Sequence, residues 1–405
     1  MSDAASLDAA DPLRRFRDAF ELPRGIVYLA GHSLGPVSKA VVARVAQAVQ
    51  NEWGHGLVGA WNTADWIGAP QRLGAKIAPL IGARSDEVIV ADSVSVNLFK
   101  LAGALLAAAP GRKAILVEGG EFPTDMHIAQ GLAALARAKV RFARKGTLAE
   151  RIDARTGVII VSHVHYRDAS VRDMAALTAQ AHAAGAEIVW DLSHSVGAID
   201  VDLAGAGARF AVGCTYKYLN GGPGGPAFLY VARDHQERLA NPISGWLGHA
   251  DPFAFADRYE PAPGAQRFVS GTPPILAYAA LEAALDLMAE APGALRRAKS
   301  QALSERFLAR VFAKKRPGLQ LISPADPARR GGHVTLKHKD AYAVVKALIA
   351  RGVIGDFRAP DAMRFAFPAL TLTYGEADAA ADALIEVLKT GVYRDPAFTV
   401  SAKVT

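Results

Sequence analysis

Between Asp86 and Tyr230, short apolar runs alternate with stretches of helical spacing, and this alternation constrains the fold more than any other feature of the chain. Residues 87–90 read as a strand, followed by 96–108 with apolar residues at helical intervals. Residues 113–117, 157–161, 187–190, 210–213 and 227–230 read as further strands, with helical patterns such as 174–184 between several of them. Strand–helix alternation of this kind predicts an α/β fold with a mainly parallel sheet and helices on both faces. Functional groups then gather at the carboxyl ends of the strands.

After Pro273-Pro274, an Ala/Leu-rich helix over 275–290 is expected to carry the chain out of this sheet. The remainder alternates amphipathic helices with short strands such as 333–336 and reads as a smaller α+β domain. The expected division is therefore a large domain over 51–290, a small C-terminal domain over 291–405, and an N-terminal segment, 1–50, that packs with the small domain. No apolar run reaches the roughly 20 residues needed to span a bilayer. Residues 1–17 mix Asp and Arg without an apolar core, so no secretory signal is expected. The lone cysteine, Cys214, excludes an intramolecular disulfide and points to a reducing, cytoplasmic setting. The net charge of +7 raises nucleic-acid binding, but Lys and Arg are spread along the chain, with only short clusters such as Lys314-Lys315-Arg316. Without zinc-finger spacing or an RNA-binding aromatic motif, a solvated basic surface that attracts anionic small molecules is the better reading.

Four strand ends carry unusual residues. At Asp92-Ser93-Val94-Ser95-Val96-Asn97 a strand turns into a helix; small hydroxyl residues there cap the helix, and the same geometry can hold a phosphate. Glu121-Phe122-Pro123-Thr124-Asp125 places an aromatic in a loop, where it packs or stacks on a planar ring. In Trp190-Asp191-Leu192-Ser193-His194-Ser195, the acid ends an apolar strand, which is costly unless it is paired. It is either structural or a partner for a pyridinium nitrogen. The fourth is Cys214-Thr215-Tyr216-Lys217-Tyr218-Leu219-Asn220-Gly221-Gly222-Pro223-Gly224. A lysine between two tyrosines at the end of a buried strand is poorly explained as a surface charge, and desolvation there favours Schiff-base chemistry. Each motif alone has a structural explanation. Their order is that of a pyridoxal phosphate (PLP) site in the large aminotransferase-type fold, with Asp191 preceding Lys217 by 26 residues.

At these residues the sequence resembles the kynureninases, PLP-dependent hydrolases of fold-type I. The likeness includes Tyr28-Leu29-Ala30-Gly31-His32-Ser33-Leu34-Gly35, Ser95-Val96-Asn97-Leu98-Phe99-Lys100, Tyr216-Lys217-Tyr218-Leu219-Asn220, Gly245-Trp246-Leu247-Gly248-His249, Gly271-Thr272-Pro273-Pro274 and Met363-Arg364-Phe365. The resemblance implies a PLP-dependent transferase fold with a seven-stranded sheet. It also implies hydrolysis of L-kynurenine or 3-hydroxykynurenine to anthranilate or 3-hydroxyanthranilate and L-alanine, in tryptophan catabolism. On the same basis, Lys217 holds the cofactor and moves protons, Asp191 pairs with the ring nitrogen, and Phe122 stacks on the ring. Val94, Ser95, Asp125, Ser162, His194 and Tyr216 line the cofactor, with Tyr216 a candidate proton donor. Trp246 and Thr272 reach the phosphate across the interface of a homodimer. Arg364 clamps the substrate α-carboxylate, and Ser33, His55 and Trp61 meet its aromatic end. Three blocks differ from the family pattern. Ala30-Gly31-His32 stands for Asp-Gly-Asn, His165-Tyr166-Arg167-Asp168-Ala169 for Asn-Tyr-Arg-Thr-Gly, and Pro368-Ala369-Leu370-Thr371 for Thr-Pro-Leu-Tyr.

Alternatives remain at this point: a related PLP enzyme with another amino-acid substrate, a class V aminotransferase or lyase, or a non-enzymatic PLP binder. A cysteine desulfurase needs a mobile nucleophilic cysteine, and Cys214 sits on the Lys217 strand. No metal is expected: His163 and His165 could share a strand face, but no third ligand accompanies them.

Overall fold

The structure is a computed structural model that describes residues 3–400. Seven strands form its central sheet: β1 (Val88–Val90), β2 (Ala114–Glu118), β3 (Lys139–Ala143), β4 (Thr156–Ser162), β5 (Glu187–Asp191), β6 (Phe210–Gly213) and β7 (Phe228–Val231). Their order is β1-β7-β6-β5-β4-β2-β3. Only β7 runs against its neighbours, so the sheet is mainly parallel, as expected. The apolar runs of the sequence correspond to six of these strands. The seventh, β3, has no such run because it is an edge strand with one neighbour and largely accessible residues. There Lys139 and Arg141 alternate with apolar side chains.

The apolar runs follow from burial on both sides. Successive strand side chains point to opposite faces. Ile159, Val161, Ile188 and Trp190 enter one core, with Leu281 and Leu285 of the helix Ile275–Ala289. Val158, Ile160 and Val189 enter the other, with Leu98, Leu101 and Phe268. Trp190 is fully buried, and its indole N–H donates to Thr178 Oγ1 at 3.1 Å. Parallel register then sets the strand ends side by side: Ser162 pairs with Asp191, and Asp191 with Val212, five residues before Lys217.

The chain turns at Ala291-Pro292 between two helices, Ile275–Ala289 and Gly293–Val311. Beyond them lies an antiparallel four-stranded sheet in the order Asp356–Arg358, Ala362–Ala366, His333–Lys337, Gln320–Leu321. Its core is built around Phe307, whose ring centre lies 5.4 Å from that of Phe365 and 5.3 Å from that of Phe367.

The N-terminal segment does more than pack with this second sheet. Asp8 accepts hydrogen bonds from the amides of Tyr374 and Gly375, capping the helix Tyr374–Thr390. Val27–Tyr28 pairs with Val353–Ile354. Yet Leu13, Phe16 and Phe20 sit in a core of the large sheet. Val41 of the helix Lys39–Gln47 packs on Ala280, Ala283 and Ala284. The expected break at 50/51 falls inside continuous helical backbone, because that helix runs on through the segment Ala48–His55. The segment is a strap across both parts, which its amphipathic sequence alone does not reveal.

Removing a fully buried aromatic leaves a cavity. Phe307→Ala is expected to lower stability by about 3–5 kcal/mol, and Phe307→Leu by less, measured by equilibrium chemical denaturation.

Candidate active site

The strand β6 runs on into Cys214-Thr215-Tyr216-Lys217, and the glycine-rich loop folds back so that the Gly221 amide donates to Thr215 O at 2.9 Å. Lys217 is buried in the wall of a pocket with about 700 Å³ of empty space. Its Nζ lies 3.4 Å from His194 Nε2, 5.7 Å from the ring centre of Phe122 and 5.8 Å from that of Tyr216. The turn at Gly35 presses on the same backbone. Its amide donates to Tyr216 O at 2.8 Å, and a Cβ there would lie 2.3 Å from the Lys217 carbonyl oxygen, so only glycine fits.

Asp191 ends β5, beside this lysine strand. Its Oδ1 accepts from the Ser193 amide at 2.8 Å and the Ser193 hydroxyl at 2.6 Å. The same hydroxyl accepts from the Cys214 amide at 3.2 Å, tying the acid to β6. Asp125, in the first turn of the helix Pro123–Ala136, is fully buried, and neither of its oxygens has a partner. Burial, then the nearby Asp191 and Glu121 carboxylates, push Asp125 well above the ordinary carboxylate range; burial also raises Asp191. A buried acceptor without a donor is costly. A cationic ring with an N–H placed in this pocket relieves that cost, so the residues fit a pyridinium.

Behind the pocket, Arg172 pairs with both Glu118 and Glu121, and its Nε donates to Ser162 O at 3.1 Å. The Ser162 hydroxyl donates to Glu121. This network holds the end of β4 next to Asp191.

At the end of β1 the chain turns through Asp92, whose φ is 49°, into the helix Val94–Ala108. Ser93 caps it, accepting from the Val96 amide at 3.3 Å. Asn97 Nδ2 donates to Ala91 O at 2.8 Å, and Lys100 Nζ donates to Phe268 O at 2.6 Å while pairing with Asp92. These contacts brace the turn so that Val94 and Ser95, whose amides belong to the first helical turn, face the pocket. Ser95 Oγ lies 3.3 Å from Thr124 Oγ1. These hydroxyls, each in the first turn of its own helix, Val94–Ala108 and Pro123–Ala136, suit an anion such as a phosphate.

Arg364, buried in the strand Ala362–Ala366, donates through Nε and Nη2 to Asp356 and through Nη1 to Tyr166 O at 2.6 Å. Three of its five N–H donors are thereby used, leaving two. Tyr166 lines the pocket and meets Phe122 edge-on, with ring centres 5.4 Å apart. Arg364 thus adjoins the pocket through Tyr166.

Val94, Ser95, Phe122, Ser162, Asp191, His194, Tyr216 and Lys217 line one pocket, with Asp125 buried beside Asp191. Burial, then Lys217, hold His194 far below the ordinary histidine value, so it is neutral. Burial raises Tyr216, which stays protonated. Five other expected residues are not brought into this pocket within one chain. His55 and Thr272 are exposed, and Ser33 is half-buried before Gly35. Trp61 packs edge-on to Trp66 at 5.4 Å, and Trp246, 42% exposed, edge-on to Phe253 at 5.7 Å. Conversely, Thr124, Tyr166, Ser193, Gly224 and Gly225 line the pocket without having been singled out. Ser193 was signalled by its place two residues after Asp191, where a hydroxyl and an amide can both reach the carboxylate. Nothing local signals Tyr166.

His163 and His165 do not share a strand face. β4 ends at Ser162; His163 meets Trp190 edge-on, while His165 Nδ1 lies 3.0 Å from Asp168 and its Nε2 3.0 Å from Gly120 O. Among the described residues no cluster of His, Cys, Asp and Glu is arranged to hold a metal.

The elevated Asp125 value has a pH signature. Its folded value lies above the unfolded one, so its contribution to stability is complete below the unfolded value and is lost as pH rises through the folded value. In ligand-free protein, Asp125→Asn is expected to raise the melting temperature more at about pH 9 than at about pH 5, measured by thermal unfolding. A gap that shrinks as pH rises contradicts this.

Residues 296–384 match the kynureninase C-terminal domain family. The chain is 44% identical to a kynureninase from Burkholderia mallei over 411 aligned positions, covering 100% of this chain and 99% of the relative. It is 46% identical to a kynureninase from Deinococcus radiodurans, covering 95% of each. Among solved structures, the cysteine desulfurase CsdA from Escherichia coli aligns with a TM-score of 0.79 at 18% identity, over 93% of this chain and 98% of that one. That likeness concerns the fold alone. Identity sustained along the whole length of the curated relatives places the chain in the kynureninase family.

Proposed function

We propose that this protein hydrolyses the Cβ–Cγ bond of L-kynurenine or 3-hydroxykynurenine, releasing L-alanine and anthranilate or 3-hydroxyanthranilate, with pyridoxal phosphate held at Lys217. Family membership carries the reaction class, a PLP-dependent hydrolysis of a carbon–carbon bond. The structural observation that most supports the cofactor site is one pocket that sets the Lys217 amine near buried carboxylates, one of them without any donor.

Bound there, PLP supplies an electron sink conjugated to the amino acid. Lys217 offers the amine for its aldehyde and the base that moves the proton at Cα. Asp191 holds the proton of the ring nitrogen, with Asp125 beside it, and Phe122 covers a ring face. The amides of Val94 and Ser95, with the hydroxyls of Ser95 and Thr124, take the phosphate. Neutral His194 accepts from Lys217, Ser162 completes the wall, and Tyr216, kept protonated by burial, is the acid available on this side. Arg364 directs its two remaining N–H donors at the α-carboxylate, a bidentate task that suits arginine. One water enters per turnover and becomes part of the aryl carboxylate and alanine products.

In this reading residues 51–290 hold the cofactor, and 291–405, with much of 1–50, carry Arg364. The exposure of His55, Trp246 and Thr272 supports a homodimer, in which Trp246 and Thr272 reach the phosphate of the partner's site and Ser33, His55 and Trp61 meet the substrate's aromatic end. The lone cysteine supports a cytoplasmic location; among the described residues no helix is long and apolar enough to cross a membrane. A desulfurase reading finds no support. Cys214 is buried, its Sγ is 3.7 Å from Ser193 O, and burial pushes its thiol up, so it is no mobile nucleophile.

The test is incubation of the PLP-loaded protein with each kynurenine. Alanine and the aryl product are expected in equal amounts, by amino-acid analysis and fluorescence. Lys217→Ala is expected to lower kcat by about a thousandfold or more and to change the visible absorbance of the bound cofactor. Absence of both products from both substrates overturns the proposal. Trp246→Ala is expected to weaken PLP retention on dilution, measured by equilibrium dialysis.

A further inference from the structure

Arg364 has one carboxylate partner among the described residues, Asp356, and that carboxylate is shared. Its Oδ1 accepts from Arg364 Nε at 2.8 Å and lies 3.2 Å from His32 Nε2. Its Oδ2 faces Arg364 Nη2 and, at 3.1 Å, Arg358 Nη2. Arg358 is half-buried, with 31% of its side chain exposed, so it competes for the same acid from the solvent side. A carboxylate between two guanidiniums can rotate to divide itself between them. A third contact on the Oδ1 edge opposes that rotation and keeps the acid in plane with Arg364.

His32 is built to supply that contact. It is fully buried and stacks on His333, with ring centres 4.9 Å apart and planes at 17°. His333 in turn meets His194, at 5.9 Å, the histidine beside Lys217. The His32 ring therefore cannot swing away. Burial holds it neutral, near a value of about 4, so it directs the acid without adding a third positive charge. A neutral ring facing a carboxylate carries its proton on Nε2. The contact is angled outside a regular hydrogen bond, neither His32 nitrogen has a hydrogen-bond partner, and the Asp356 carboxylate is the charged group within ion-pair distance of the ring.

We propose that His32 is a positioning residue that, through Asp356, holds the Arg364 guanidinium aimed at the substrate pocket, so that substrates with a free α-carboxylate are the class whose binding depends on it. The inference rests on the reading of Arg364 as the carboxylate clamp. His32 is not among the residues that line the Lys217 pocket. Its effect falls on binding of one charged group and spares the reacting atoms.

The experiment uses the PLP-loaded protein with His32→Phe, which keeps a ring on His333 but removes the donor, and His32→Asn, which keeps a donor. L-kynurenine and its decarboxylated amine are the probes, with binding read from the cofactor absorbance and turnover from product. His32→Phe is expected to raise KM for L-kynurenine about tenfold, with kcat changed by less than about threefold, and to leave the Kd of the amine unchanged. His32→Asn is expected to recover most of that loss. Equal weakening of both probes, a fall in kcat without a rise in KM, or no effect at all overturns the proposal; if His32→Phe does not fold, Asp356→Asn must give the same split between the two probes. Arg364→Lys separates the two levels. If it leaves L-kynurenine binding intact, the clamp reading fails. If it abolishes selectivity for the carboxylate while His32→Phe does not, only the inference about His32 fails.

Discussion

The burial of ionisable groups along the carboxyl edge of a parallel sheet is the constraint on which the rest of this structure depends. Asp191 ends β5 and Ser162 ends β4, in register with each other, while the β6 strand delivers Lys217 beside them. Strands buried on both faces leave only their ends for polar chemistry. Charges placed there lose much of their hydration, and each must find a partner within the protein or a ligand. Most do: Ser193 holds Asp191, Arg172 holds Glu118 and Glu121, and Asp92 holds Lys100. Asp125 does not, and its unmet need marks where a ligand belongs.

These partnerships explain sequence blocks that do not themselves touch the pocket. Asn97 and Lys100 brace the turn that presents Val94 and Ser95. Gly35 admits the Lys217 carbonyl to a distance that no side chain would allow. The altered block at 165–169 is also internally consistent. Asp168 accepts from His165 and from the Ser170 amide and hydroxyl, so the two new side chains support one another. Ala169, with φ of 60°, occupies a left-handed position where the family pattern has glycine.

The small sheet contributes through Arg364 and Asp356, which meet the large sheet at Tyr166 and through the histidine stack. The N-terminal strap joins both parts, with Asp8 on the helix Tyr374–Thr390 and Phe16 in the large core. The amides of Ala366 and Phe367 donate to Leu29 O and Gly332 O. Arg364 is thus tied to the lysine strand by backbone as well as by side chains, because the strap that Ala366 pairs with at Leu29 also donates from Gly35 to Tyr216 O.

Much of this was legible in the sequence, because burial on both faces forces unbroken apolar runs and chemistry then stands out at their ends. β1, β2, β4, β5, β6 and β7 were visible for that reason, and so were Lys217 and Asp191. The edge strand β3 was not, since exposure permits the polar alternation of Lys139 and Arg141. The sequence also carried the family, through blocks whose residues are held by the close approaches described above. It could not reveal that residues 3–50 strap both parts, that Tyr166 joins Phe122 to Arg364, or that His32 lies against Asp356. Those contacts join residues far apart in the chain, and only the packing of the second sheet against the first decides them.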